Sequence, residues 1–240
     1  HRQVQFAVSP HAPYSTPPDC IERCVELTRR SGATLAMHVT ESPDERDLLE
    51  SGSGRFADSL RAAGLWRDGL FPWPYSNPIG WLIDRLAAAP RGLLVHGNDL
   101  RDGEIEALSN HAHLSVVYCP RTHSFFGYGP HPVKKLLDAG IRVALGTDSR
   151  ASNPDLSVWR EFQFLLNRRP DLPPDVVLKM ATICGAEALL GAGSEFGTMR
   201  IGSPMTGPLG TVATRANKLD HVWRDFADRD LLCTGVPERA

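Results

Sequence analysis

Five short apolar runs rich in β-branched residues recur between segments of helical pattern: Val4 to Val8, Ala33 to Val39, Gly92 to His96, Leu114 to Tyr118 and Ile141 to Asp148. Runs of this length read as strands buried on both faces, as in a parallel sheet. The intervening helices carry start signals. Thr16 is expected to cap a helix with Pro17 in its first turn, with Ile21, Cys24, Val25 and Thr28 on one face and a stop near Gly32. Ser42, Pro43, Asp44 and Glu45 read as a capping box, and Asp102 precedes two glutamates that suit a helix dipole. Further helices are expected over Pro132 to Asp138 and from Asn153 to Asn167. Strand and helix alternating in this way predict a parallel β/α architecture. No strand is followed by a G-x-G-x-x-G turn, which disfavours the open nucleotide-binding sheet and favours a barrel with its active site at the C-terminal strand ends.

The chain's 240 residues allow one large domain or two small ones. Hydrophobic residues make up 42% and charged residues 22%, and the net charge is -2, so nothing electrostatic calls for a nucleic-acid or anionic-membrane partner. A small-molecule ligand is the expected partner. The odd set of cysteines, Cys20, Cys24, Cys119, Cys184 and Cys233, sits mostly in apolar patterns and fits reduced thiols in the cytoplasm. No apolar stretch is long enough to span a bilayer, and the first residues carry no signal-peptide pattern. The absence of an initiator Met and the early first strand suggest a piece of a longer protein. In the long connection after Val39, the Trp- and Pro-rich residues 65–81 are expected to form a loop over the barrel mouth. Periodicity fades from about Gly193, so the expected organisation is a partial barrel over 1–192 and a tail, or the remnant of a small β domain, over 193–240.

Polar residues follow each strand: Ser9-Pro10-His11, then His38 and Glu41, His96, Cys119 to His123, and Thr147-Asp148-Ser149. In a barrel these positions converge, and imidazoles with carboxylates are what a hydrolytic metal centre requires. Each alone has an ordinary reading as a hydrogen-bonded core residue or a helix-capping acid; their joint placement is the signal. His96 follows its strand, whereas His111 and His113 precede theirs and belong to the opposite face, so this His-x-His pair is set aside as a ligand pair. Cys20 and Cys24 read as packing on an apolar helix face, and Cys119 carries no thiolate-activating motif.

The ordered motifs SPHAPYS, HVTES, VHGNDL, VVYCPRTHSFFG, LGTDSRASNPDLS and TICGAEALLG, covering roughly Val4 to Gly191, resemble the amidohydrolase superfamily. The resemblance is to its metal-dependent aminohydrolases, which include S-adenosylhomocysteine, aminofutalosine and cytosine or guanine deaminases and the triazine hydrolases. It implies an α/β fold of the (β/α)8 TIM-barrel type, here a partial barrel of strands four to eight. It further implies that His38 and Asp148 are metal ligands, with His96 beside the attacking water and a candidate third ligand. Asp148 would also accept a proton, and Glu41 would carry protons. His11 would contact the substrate, and Arg121, His123 and Ser149 are further substrate-side candidates; His123 stands where many relatives have Asn. One divalent metal is implied, zinc foremost with iron or manganese as alternatives. No lysine follows the first strand to build a binuclear carboxylated-lysine site.

The family's His-x-His after the first barrel strand has no counterpart here, so an inactive fragment is also an expectation. The implied activity is hydrolytic deamination of an aminated purine-like or other heterocyclic small molecule. Cleavage of a ring C–Cl or C–N bond is the alternative within enzymes, and a non-catalytic binding or assembly module is the alternative outside them. The exposed edges of half a barrel make a homo-oligomer a further expectation.

Overall fold

The computed structural model of the protein describes residues 6–198, 209–212, 214, 218–230 and 232–234. One sheet has the order β1 (Ala7–Val8), β2 (Thr34–Val39), β3 (Arg91–His96), β4 (Leu114–Tyr118) and β5 (Arg142–Leu145). The first four pair in parallel, each following its predecessor in sequence. This is an α/β fold on a parallel sheet, with strands where the apolar runs lie. Val4 and Gln5 of the first run fall outside the described residues, and Thr147 and Asp148 lie beyond the end of β5.

The helices are α1 (Pro18–Ser31), α2 (Pro43–Ser51), α3 (Gly54–Ala62), α4 (Pro78–Ala87), α5 (Asp102–Ser109), α6 (Pro120–Phe126), α7 (Val133–Asp138), α8 (Val158–Arg168), α9 (Pro174–Ala181), α10 (Ile183–Leu190) and α11 (Leu219–Asp228). Helix α1 buries Ile21, Val25 and Thr28 and ends at Gly32, which takes the left-handed conformation that glycine adopts without a Cβ clash. Its start differs from expectation. Pro17, not Thr16, is the N-cap, because a residue before proline is driven out of the helical region and Pro18 follows. The Thr16 hydroxyl instead donates to the Pro10 carbonyl. Asp102 is likewise the first residue of α5 and not its cap, and Glu104 reaches back to accept the Arg101 N–H at 2.8 Å.

Residues 153–157 are not helical. Asp155 Oδ1 accepts the Ser157 N–H at 3.0 Å, a local turn that competes with helix, and Ser157 then caps α8 by accepting the Arg160 N–H at 3.3 Å.

The long connection after β2 is more ordered than a loop. Within residues 65–81, Asn77 accepts the Gly80 N–H at 2.9 Å and starts α4, which buries Ile79, Leu82, Ile83 and Leu86. Gly80 leaves room for that cap, because a Cβ would lie 2.2 Å from Asn77 Nδ2 and displace the side chain.

By compactness the chain divides into one unit of residues 1–118 and 127–143 and another of 119–126 and 144–240. In the first, the core is the sheet residues Leu35, Met37, Leu94 and Val116 with the apolar faces of α1, α2 and α4. In the second, Phe162, Leu165, Val177 and Met180 are buried. Gln163 of α8 donates to the Phe226 and Arg229 carbonyls at 3.1 and 2.7 Å, tying α8 to α11 and the residue after it. The strands β6 (Leu209–Thr211) and β7 (Leu232–Thr234) pair antiparallel. No helix among the described residues is long and apolar enough to cross a membrane.

Candidate active site

In the first unit, the C-terminal ends of β2 and β3 bring together four of the residues singled out from sequence. In the parallel register His38 lies opposite Val95 and Val39 opposite His96, so the two histidines reach the same end of the sheet. Their ring centroids are 5.3 Å apart, and the His11 and His38 centroids are 5.2 Å apart. Glu41 Oε1 lies 3.7 Å from His96 Nε2, and the His96 side chain is only 2% exposed.

The His38 ring is held by its neighbour. Its Nδ1 lies 2.8 Å from the His11 carbonyl, which also accepts the His38 backbone N–H at 2.8 Å. A carbonyl can only accept, so Nδ1 carries a hydrogen and Nε2 is the nitrogen left to face a metal. His11 Nδ1 lies 2.6 Å from Ser15 Oγ. Burial first, and then the neighbouring His38 charge, pushes the His11 imidazole below its ordinary value, which favours the neutral ring.

Glu41 is braced through its backbone. Glu45 is buried, and its two carboxylate oxygens accept the Thr40 and Glu41 N–H groups at 2.8 and 3.1 Å. Asn98 Nδ2 donates to the Glu41 carbonyl at 2.8 Å. Burial pushes Glu45 up to about 8, opposed by those two N–H donors. The expected capping box is therefore half present: Ser42 Oγ accepts the Glu45 N–H at 3.2 Å, while the Glu45 carboxylate reaches past Ser42 to the two residues before it. Beside it, Arg46 bonds Glu104 twice, at 2.7 and 2.9 Å, and Asp99 at 2.7 Å, joining α2 to α5 and the loop before it.

The second unit holds the other candidates. Asp148 Oδ2 accepts the Ser152 hydroxyl at 2.7 Å, and Ser152 Oγ lies 3.2 Å from Thr122 Oγ1. Asn153 donates to the Thr147 carbonyl at 2.7 Å and to Glu161 Oε1 at 2.5 Å, so a buried glutamate on the next helix steadies the backbone before Asp148 much as Glu45 does for Glu41. Burial raises the Glu161 carboxyl against the Asn153 and Arg121 donors. The Arg121 guanidinium bonds Asp155 at 2.9 and 3.1 Å and holds that carboxyl below its usual range. Ser149 Oγ accepts the Ala151 N–H at 3.2 Å, and His123 is buried on α6.

His11, Thr40, His96 and Asp148 have φ of 59°, 53°, 73° and 55°, and each sits at or just after a strand end. A left-handed non-glycine residue costs ~1–3 kcal/mol and persists where function or packing demands it. His111 and His113 precede β4, and His113 Nε2 is occupied by the Ala87 carbonyl at 2.9 Å. Asn98 and Glu161 were not singled out from sequence, and Glu45 was read there only as part of a capping box. The signal available was a glutamate in the first turn of the helix following each candidate acid.

A sequence model of the amidohydrolase family matches residues 2–204. The chain belongs to that family. The 5-methylthioadenosine/S-adenosylhomocysteine deaminase of Pyrococcus furiosus is 32% identical over 193 residues, covering 78% of this chain and 41% of the relative. Among solved structures, an adenosine deaminase from Xanthomonas campestris with bound zinc is 26% identical with a TM-score of 0.65, covering 93% of this chain and 47% of that one. The Helicobacter pylori aminofutalosine deaminase in complex with methylthio-coformycin shares the fold, with a TM-score of 0.79 at 20% identity, over 96% of this chain and 56% of that one. This amidohydrolase chain thus spans less than half the length of the Pyrococcus deaminase it matches.

Proposed function

We propose that this amidohydrolase chain is part of a metal-dependent hydrolytic deaminase acting on an aminated purine-like or other heterocyclic small molecule. The observation that carries the reading is the strand-end cluster: His38 with its Nδ1 committed to the His11 carbonyl, His96 with its ring centroid 5.3 Å away, and Glu41 within 3.7 Å of His96. His38, His96 and Asp148 would hold one divalent ion, since neutral imidazoles with a carboxylate suit zinc first and iron or manganese after it. When bound, the ion would lower the pKa of water toward neutrality.

The remaining chemistry belongs to side chains. Asp148 accepts the proton released by the attacking water. Glu41 carries a proton to the ring nitrogen beside the amine-bearing carbon as the hydroxyl adds to that carbon; the proton held by Asp148 then passes to the amine, which leaves as ammonia while Glu41 takes the hydroxyl proton and the carbonyl forms. The neutral His11 imidazole contacts the substrate, with Arg121, His123 and Ser149 as further substrate-side groups. In this reading the five strands correspond to strands four to eight of a (β/α)8 barrel, with 193–240 the remnant of a small β domain. A cytoplasmic setting accords with Cys20 and Cys24 standing outside any disulfide.

The test is product release from the zinc-loaded chain offered 5′-methylthioadenosine, adenosine and a chlorinated triazine. Ammonia from a nucleoside is expected. Chloride without ammonia would transfer the chain to ring dehalogenation, and nucleoside binding without either product would make it a binding module.

A further inference from the structure

We propose that His131 is a positioning residue that fixes the aim of His96, an inference that rests on the reading of His96 as part of the metal-binding cluster. His131 lies 35 residues from His96, and its Nε2 is 3.0 Å from the His96 carbonyl. That oxygen can only accept, so Nε2 carries the hydrogen. The His131 ring is buried and stacks on Tyr118 with centroids 3.7 Å apart and planes 21° apart, which sets its orientation. Pro130 and Pro132 flank it and restrict the backbone on both sides.

The carbonyl it holds belongs to a peptide plane under constraint. His96 is left-handed, with φ 73°, a conformation that a non-glycine residue leaves unless contacts hold it. The same plane is held on its other side, where the Gly97 N–H donates to the Val39 carbonyl at 3.1 Å. Little room surrounds it: a Cβ on Gly97 would lie 3.0 Å from Leu100 Cδ1 and 3.2 Å from Leu94 Cδ2. His131 and Val39 therefore clamp the His96–Gly97 peptide from opposite ends. Release of that plane would let His96 relax from its left-handed φ, which turns its Cα–Cβ bond relative to His38 and Glu41, so the clamp sets where Nε2 points.

The experiment compares His131→Phe, which keeps an aromatic ring on Tyr118 but removes the donor, with His131→Gln, whose amide can place an N–H near the same point. Two quantities are read in the folded chain: hydrogen exchange of the Gly97 amide by NMR, and cobalt affinity by optical titration. His131→Phe is expected to speed Gly97 exchange by ~10-fold or more relative to other β3 amides, and to weaken cobalt binding ~10–100-fold, as loss of groups orienting a ligand does. His131→Gln is expected to restore most of both. Native Gly97 protection and native affinity in His131→Phe would overturn the proposal and reduce His131 to packing. Failure of the wild-type chain to take up cobalt would overturn the metal assignment instead, and Gly97 exchange would still decide the clamp. Should His131→Phe unfold, Gly97 exchange in the Gln variant decides: wild-type protection supports the donor, and fast exchange in a folded Gln variant counts against it.

Discussion

Glu41→Gln is expected to lower the rate of ammonia release by ~10²–10⁴-fold while leaving metal content unchanged, the range found when a positioned proton carrier is lost. Gln keeps the size of the side chain and its hydrogen-bonding reach but cannot carry a proton between water and a ring nitrogen. In the proposed mechanism Glu41 does that work. Its backbone is fixed by Glu45 and Asn98, and its carboxylate approaches His96 Nε2 to 3.7 Å without serving as an assigned ligand. The loss should fall on kcat and kcat/KM alike, as for an interaction made only in the transition state. Steady-state kinetics of the metal-loaded variant check it, and a rate within ~10-fold of wild type would remove Glu41 from proton transfer.

Arg46→Met is expected to destabilise the first unit by ~3–5 kcal/mol, the cost of leaving a buried charge without its partner. The Arg46 and Glu104 side chains are 4% and 8% exposed, and the guanidinium bonds both Glu104 oxygens. Asp99 and Glu50 are 32% and 35% exposed and, being solvated, should contribute little. Met fills much of the volume of the arginine stem, so the loss reports charge and hydrogen bonding more than a cavity. Adding Glu104→Gln should recover part of it, because the stranded charge is then gone. Denaturant unfolding measures both variants, and a loss under ~1 kcal/mol for Arg46→Met would place the network among weak surface pairs.

What could be read from the sequence follows from which signals are local. The five apolar runs fall on strands, with Leu114–Tyr118 matched at both ends, because a strand buried on both faces must be continuously apolar. His38 and His96 fall at strand ends for the same reason. Helix starts were less legible where side chains compete for the backbone, as at Pro17–Pro18, which displaced the cap from Thr16, and at Asn153–Ser157, where local side-chain bonds replace helix. Helix α4 hid within a Trp- and Pro-rich stretch because its glycine and proline, ordinarily breakers, serve its Asn77 cap. The braces were less legible. Glu45 reads in sequence only as a capping residue, Glu161 and His131 as ordinary surface residues, and tertiary packing buries them against backbone groups four to 40 residues away.

The most direct test of the metal assignment is the metal content of the purified 240-residue chain beside that of His38→Ala and Asp148→Ala. Close to one divalent ion per wild-type chain is expected, falling to background in both variants while each remains folded. A wild-type chain without metal, or one whose metal survives both replacements, would contradict the assignment of these strand-end residues to a metal centre.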